Sequence, residues 1–200
     1  VLAIAHVIEE NKQYLTDLDA AIGDNYHGLN MARGFSVVEK KLSENPGENV
    51  GDVLKTTAMA LISNVGGASG PLYGTLFLKA SGVAKDKTEV NLEDFGEMLK
   101  EGVAGVQARG KAQLGEKTML DVLIPVQNQV AEDAAAGAPG LEAMEKAAKL
   151  ARECAEKTKD IQATKGRASY LGERSIGHID PGAMSSCLIL ETIAGELAKE

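Results

Sequence analysis

The stretch Val50-Gly51-Asp52-Val53-Leu54-Lys55-Thr56-Thr57-Ala58-Met59-Ala60-Leu61-Ile62-Ser63-Asn64-Val65-Gly66-Gly67-Ala68-Ser69-Gly70-Pro71 reads as a helix, a glycine turn and the start of a second helix. Val50, Val53, Leu54, Thr57, Ala58, Leu61 and Ile62 form a stripe along one helical face. The stripe stops at Asn64-Val65-Gly66-Gly67. Ala68-Ser69-Gly70-Pro71 then opens a new helix, with Ser69 or Gly70 near the cap and Pro71 in the first turn. Leu72 to Val83 continue it.

Helical stretches and breaks continue on both sides, with no fixed-length repeat. Towards the start, residues 1 to about 14 read as an amphipathic helix. Met31 to Leu42 read as another, with Phe35, Val38 and Leu42 on one face, and Glu44-Asn45-Pro46-Gly47 breaks it. Towards the end, Asn91 with Glu93 and Asp94 starts a helix that runs to about Arg109, with Gly110 as its C-terminal glycine. Thr118 is placed to cap the next helix, which runs to about Asp133 and should bend at Pro125. Leu141, Met144, Ala148, Ala151 and Ala155 form a stripe that reaches about Ala163. Residues 164–182 are polar and glycine-rich, and Asp180-Pro181 starts the last helix with a cap and a first-position proline. About eight helices and no period-2 strand give an all-α fold, a single-domain antiparallel bundle or ring over 1–200.

Composition agrees. Of the 200 residues, 44% are hydrophobic and only 4% aromatic, so the core is aliphatic and suits helix-on-helix packing. The net charge of -8 argues against nucleic-acid or anionic-membrane binding. Cys154 and Cys187 have no metal-ligand spacing and read as free thiols, which with the lack of a leader or span points to a cytoplasmic protein. The chain begins at Val1 without Met, so we expect residues to precede it.

Four interruptions stand out: 19–30, 64–71, 110–118 and 164–182. They are the first, third, fifth and seventh connections, and in an antiparallel arrangement alternate connections share one end. The connections at 44–48, 84–90 and 134–140 are ordinary linkers at the other end. The unusual chemistry therefore gathers on one face. Asp19 and Asp24 lie five positions apart and lead into Tyr26, His27 and Gly28. Loop carboxylates are hard ligands suited to Mg²⁺ or Ca²⁺, and helix starts offer free N–H groups to phosphate. The same Asp and Asn residues also suit a capped turn. Gly66 to Gly70 can expose backbone amides, without the Walker pattern. Lys165 and Arg167 are candidate phosphate cations, and His27 and His178 each flank a glycine in these loops.

Long motifs then make a resemblance specific. Leu18-Asp19 through Met31-Ala32-Arg33-Gly34-Phe35, Val65 through Thr75, Arg109-Gly110-Lys111-Ala112 through Gly115-Glu116-Lys117-Thr118-Met119, Lys165 through His178, and Asp180-Pro181-Gly182 resemble the ADP-binding L subunit of dihydroxyacetone kinases, in order and over nearly the whole chain. The single-domain length resembles the phosphotransferase-system form. The resemblance implies a barrel of eight antiparallel helices with nucleotide and Mg²⁺ at one end. It implies ADP held as a cofactor, phosphorylated in place by a phosphohistidine-carrying phosphotransferase subunit. The ATP so formed passes its γ-phosphoryl to dihydroxyacetone on a substrate-binding kinase subunit. It places Mg²⁺ at Asp19, Asp24 and the position of Tyr26. It places the nucleotide against His27, Gly28, Leu29, Asn30, Ala68, Ser69, Gly110, Met119, Arg167, Asp180, Pro181 and Gly182. Arg167 would act catalytically by offsetting charge on the transferring phosphoryl. A homodimer is compatible with the sequence, which specifies no interface.

Tyr26 departs from the family pattern, which has Asp there. A neutral phenol is a poor Mg²⁺ ligand, so we expect weaker metal binding and slower turnover in an intact fold. The alternatives this leaves are a nucleotide-binding regulatory homologue that no longer transfers phosphate, and a kinase subunit serving another small hydroxyketone.

Overall fold

The computed structural model describes residues 1–199, and among them every regular element is helical. The helices are α1 (Leu2–Glu10), α2 (Lys12–Ile22), α3 (His27–Glu44), α4 (Val50–Asn64), α5 (Ser69–Val83), α6 (Leu92–Gly110), α7 (Leu120–Ala135), α8 (Gly140–Lys157) and α9 (Pro181–Leu197). Two 3-10 segments, Thr158–Asp160 and Arg167–Ser175, lie between α8 and α9. From α2 onward each helix packs on the next. α9 lies against α8 and returns to α1, so the helices close into a ring. The expected all-α ring is the fold found.

The sequence placed several boundaries differently. The first rod does not stop near residue 14. It is interrupted at Asn11, whose Nδ2 donates to the Val7 carbonyl that the Asn11 amide also binds, and it then runs on to Ile22. Burial of Ile22 against Ala163 and Ala168 of the long loop favours this extension. Asp19 therefore sits in the last turn of a helix rather than in a loop. α3 begins at His27 rather than Met31, so His27, Gly28, Leu29 and Asn30 form its first turn. α8 ends at Lys157, short of Ala163, where Thr158 Oγ donates to the Ala155 carbonyl and the chain tightens into a 3-10 turn. Gly110 is the last residue of α6, and the left-handed position after it is Lys111, at φ 56°.

Two capping signals act as read. Asn91 and Asp94 make a reciprocal capping box at the start of α6. Asp180 caps α9 by accepting the Ala183 amide at 2.7 Å, with Pro181 first in the helix. α7 continues through Pro125. Close helix approach depends on glycine: a Cβ at Gly74 would lie 2.2 Å from Ile62 Cγ1, across the α4–α5 contact. The core is aliphatic, with Phe35 and Phe77 meeting edge to face at 6.4 Å. Residues 183–190 of α9 are buried on every side of the helix, so α9 is the most enclosed rod. Val90, Leu92, Ala138 and Gly140 from the even-numbered connections share a pocket with Val1 and Leu197 at the far end. The other connections meet at the opposite end, as an antiparallel order requires.

Candidate functional site

The starts of α3, α5 and α9 and the loop before α7 converge on one cleft of about 170 Å³. Its walls include Asp19, His27, Ala68, Ser69, Met119, Arg167, Asp180, Pro181 and Gly182. With Lys165, which also lines the cleft, ten of the residues singled out from sequence thus meet in one place, from five separate parts of the chain. Helix starts leave amides without intrahelical partners and carry the positive dipole end, so the cleft suits an anion.

The junction of α2 and α3 holds the acids. Asp19 is buried, and its Oδ2 accepts the Tyr26 and His27 amides at 2.9 and 3.0 Å. A Cβ at Gly23 would lie 1.9 Å from Asp19 Oδ1, so the turn accepts only glycine while the carboxylate folds over it. Burial raises the Asp19 carboxyl above its ordinary range, and the neighbouring Asp24 carboxylate adds to this, while the two amides oppose it. Two crowded carboxylates of this kind gain by sharing a cation. Asp24 meets Arg167 Nε at 3.0 Å, and this pair bridges the α2–α3 junction and the long loop.

His27 ties three helices together. Its Nδ1 lies 3.0 Å from Ser69 Oγ at the start of α5, and its Nε2 lies 2.9 Å from Ser185 Oγ in α9. Burial pushes the imidazole down to about 4, against a weaker upward pull from Asp24, so it is neutral at pH 7. Beneath it, Tyr73 OH lies 2.6 Å from Ser185 Oγ and 2.8 Å from Ser186 Oγ, and it donates to the Gly182 carbonyl at 3.0 Å. Burial pushes Asp180 up to about 7, with Asp121 adding to this and the Ala183 amide and Lys117 opposing it.

The remaining residues singled out from sequence lie off the cleft wall. Gly28 packs α3 onto α2, since a Cβ there would lie 2.0 Å from the Lys12 carbonyl. Leu29 is exposed, and Asn30 Oδ1 accepts from Arg33 Nη2 at 2.9 Å. Gly110 ends α6 beside Leu72. Tyr26 is 57% exposed. His178 is exposed and takes part through its carbonyl rather than its ring. Among the described residues no three His, Cys, Asp or Glu side chains form a metal cluster. Of the acids at the cleft, Asp180 gives Oδ2 to the Ala183 amide, and the Asp19–Asp24 pair fits one Mg²⁺ completed by phosphate and water, the usual way this ion is held.

Sequence reading did not pick out Lys117, Tyr73 or Ser185 as site residues. Tyr73 and Ser185 lie on helical stripes where they pass for core, and a lysine in a loop passes for surface.

The DAK2 domain family matches residues 21–195. The chain is 47% identical over 186 residues to the ADP-binding subunit DhaL of PEP-dependent dihydroxyacetone kinase 1 of Listeria innocua, covering 93% of this chain and 88% of that one. It is 45% identical over 188 residues to the corresponding Escherichia coli subunit, covering 94% and 90%. It is 47% identical over 186 residues to the ADP-binding subunit of the PTS-dependent kinase of Lactococcus lactis, covering 93% and 88%. The dihydroxyacetone kinase of C. freundii in complex with AMP-PNP and Mg²⁺ superposes with a TM-score of 0.75 at 23% identity, over 97% of this chain and 32% of that one. The chain thus spans about a third of that structure, and the likeness shows the fold alone. With a family match over most of its length and near-full-length relatives at such identity, this chain belongs to the DAK2 domain family, among the DhaL-type subunits.

Proposed function

We propose that this chain is the nucleotide-binding, phosphoryl-transferring subunit of a dihydroxyacetone kinase, working with a phosphohistidine-carrying subunit and a dihydroxyacetone-binding subunit. One observation carries this reading. Three helix starts, a pair of carboxylates and an arginine converge on a single cleft whose walls offer no cysteine, and whose imidazole, His27, has both ring nitrogens engaged by the Ser69 and Ser185 hydroxyls. Such a site holds and aligns a phosphoryl group that other molecules give and take. The relatives' names support the same role.

Asp19 and Asp24 would hold Mg²⁺, which when bound neutralises and orients the nucleotide phosphates. Ser69 and the first-turn amides of α5 and α9 bind phosphate oxygens without needing a net positive chain. Arg167 offers a guanidinium to the charge that develops on the transferring group. It already lines the cleft, held there by Asp24 at 3.0 Å. His27, being neutral, orients Ser69 without adding charge. With ADP bound, these residues would hold its β-phosphate in line for phosphoryl transfer from the phosphohistidine, whose N–P bond breaks in exchange. The same residues would hold the γ-phosphoryl for a dihydroxyacetone hydroxyl, with ADP as the leaving group and the hydroxyl proton passing to a base outside this chain.

Calorimetry with ADP in the presence and absence of Mg²⁺ tests the site, and ³¹P NMR with both partner subunits tests transfer. Mg²⁺-dependent binding, weakened in Asp19→Asn and Arg167→Ala, is the expected result. Metal-independent binding that neither substitution alters would overturn it. Tyr26 supports a second reading, a subunit that keeps ADP but transfers poorly. ADP retention with no transfer to either partner would favour that reading.

A further inference from the structure

Lys117 is the only lysine or arginine buried among the described residues, at 1% exposed, and it sits at φ 63° in the loop before α7. Its Nζ donates to the carbonyls of Thr158 at 2.7 Å, Ile161 at 3.1 Å and His178. An ammonium has three protons, and all three are committed to backbone oxygens. A lysine serving only as surface charge does not give up water for three carbonyls.

The three carbonyls belong to segments that form the cleft. Thr158 and Ile161 root the long loop that carries Arg167. His178 stands two residues before Asp180. Lys117 itself stands two residues before Met119, against which Gly182 packs: a Cβ on Gly182 would lie 3.7 Å from Met119 Cβ. The same root is tied a second and a third time. Thr158 Oγ accepts the Asp180 amide at 2.9 Å, and the Lys159 carbonyl accepts the Gly177 amide at 2.6 Å. Asp121 fixes the loop from its other side by accepting the Gly115 and Thr118 amides at 2.6 and 2.7 Å.

We infer that Lys117 is a positioning residue for the nucleotide. Its ammonium sets the spacing between the Met119 and Asp180–Gly182 walls and anchors the base of the Arg167 loop. This rests on the nucleotide reading above. A neutral side chain of equal length would fill the same volume and take the ammonium away from all three carbonyls, of which that of Thr158 keeps only the Ile161 amide at 3.2 Å, so the walls would drift apart while the helices stayed folded.

Amide hydrogen exchange and calorimetry on Lys117→Met and Lys117→Arg test the assignment. In the ligand-free protein K117M should keep its helical circular dichroism and lose protection at the Gly177 and Asp180 amides by about tenfold or more. Its affinity for Mg²⁺-ADP should also fall by about tenfold or more, and K117R should recover part of both losses. Binding within about twofold of the unaltered chain overturns the inference, and so does lost affinity with both amides still fully protected. Should K117M not fold, the unaltered protein decides. A slowly exchanging ¹⁵N ammonium signal from Lys117 that moves on adding Mg²⁺-ADP supports the assignment, and a fast-exchanging or unmoved signal removes it. Failure of the unaltered chain to bind ADP overturns the functional reading instead, and exchange at the two amides then judges the clamp alone.

Discussion

Asp19 gives one carboxylate oxygen to two backbone amides, which leaves its other oxygen and Asp24 as the acidic ligands available beside the cleft. A carboxylate at position 26 would add a third. Tyr26→Asp is therefore expected to raise Mg²⁺-dependent ADP affinity by about tenfold, measured by calorimetry. Unchanged affinity would mean that Asp19 and Asp24 suffice. Asp180 and His27 pull in opposite directions with pH. His27, pushed down to about 4, stays neutral in the fold, so its share of stability is present above its ordinary value of 6.5 and is lost as pH falls towards 4. Asp180, pushed up to about 7, holds its proton longer when folded, so its share is present near pH 4 and is lost as pH rises through 7. Asp180→Asn keeps a side-chain acceptor for the Ala183 amide and removes the buried charge. Urea unfolding at pH 8 should show a gain of about 1–3 kcal/mol, with ADP affinity reduced. Lower stability at that pH would show that the carboxylate is not penalised by burial.

At the scale of elements, the α2–α3 contact sets where the acids stand. Gly28 sits with the Lys12 carbonyl 2.0 Å and Thr16 Oγ 2.5 Å from where a Cβ would be. Gly28→Ala must push the two helices apart, and a loss of about 1–3 kcal/mol in urea unfolding is expected. Because the same contact aligns the His27 amide with Asp19, weaker Mg²⁺ binding should accompany it. A stable variant with intact metal binding would show that the helices absorb the methyl elsewhere. The misplaced helix boundaries near residues 14 and 31 fall at this contact. The stretch from Asp17 to Asn30 is polar and carries two glycines, so periodicity weakens there. What lengthens α2 to Ile22 is burial of that side chain under Ala163 and Ala168, more than a hundred residues along the chain.

Across the whole molecule, the ring closes through α9, and a polar network crosses its interior below the cleft. Tyr73 OH is shared among Ser185, Ser186 and the Gly182 carbonyl, and all three side chains are buried. Tyr73→Phe keeps the ring packing and removes the hub. A cost of about 1–3 kcal/mol in urea unfolding is expected, because buried hydroxyls lose a partner. A neutral substitution would mean that the serines re-pair with helix carbonyls. The site thus rests on a layer that belongs to the core, which is how a ring of aliphatic helices holds a polar cleft at one end without a separate domain.

The sequence by itself determined the helices with strong local signals, such as Asn91 with Asp94 and Asp180 with Pro181. It also determined, through the alternation of short connections, that the four unusual loops share one end. Caps, breakers and periodic stripes act within a turn or two of chain, so they are legible locally. Only the tertiary structure decided that Asp19 lies in a helix, that Arg167 pairs with Asp24, that His27 is buried neutral between Ser69 and Ser185, and that Lys117 faces inward. His27 and Ser185 are 158 residues apart. Burial and pairing over such separations exist only once the ring has closed, because desolvation and hydrogen-bond geometry depend on neighbours that no local window contains.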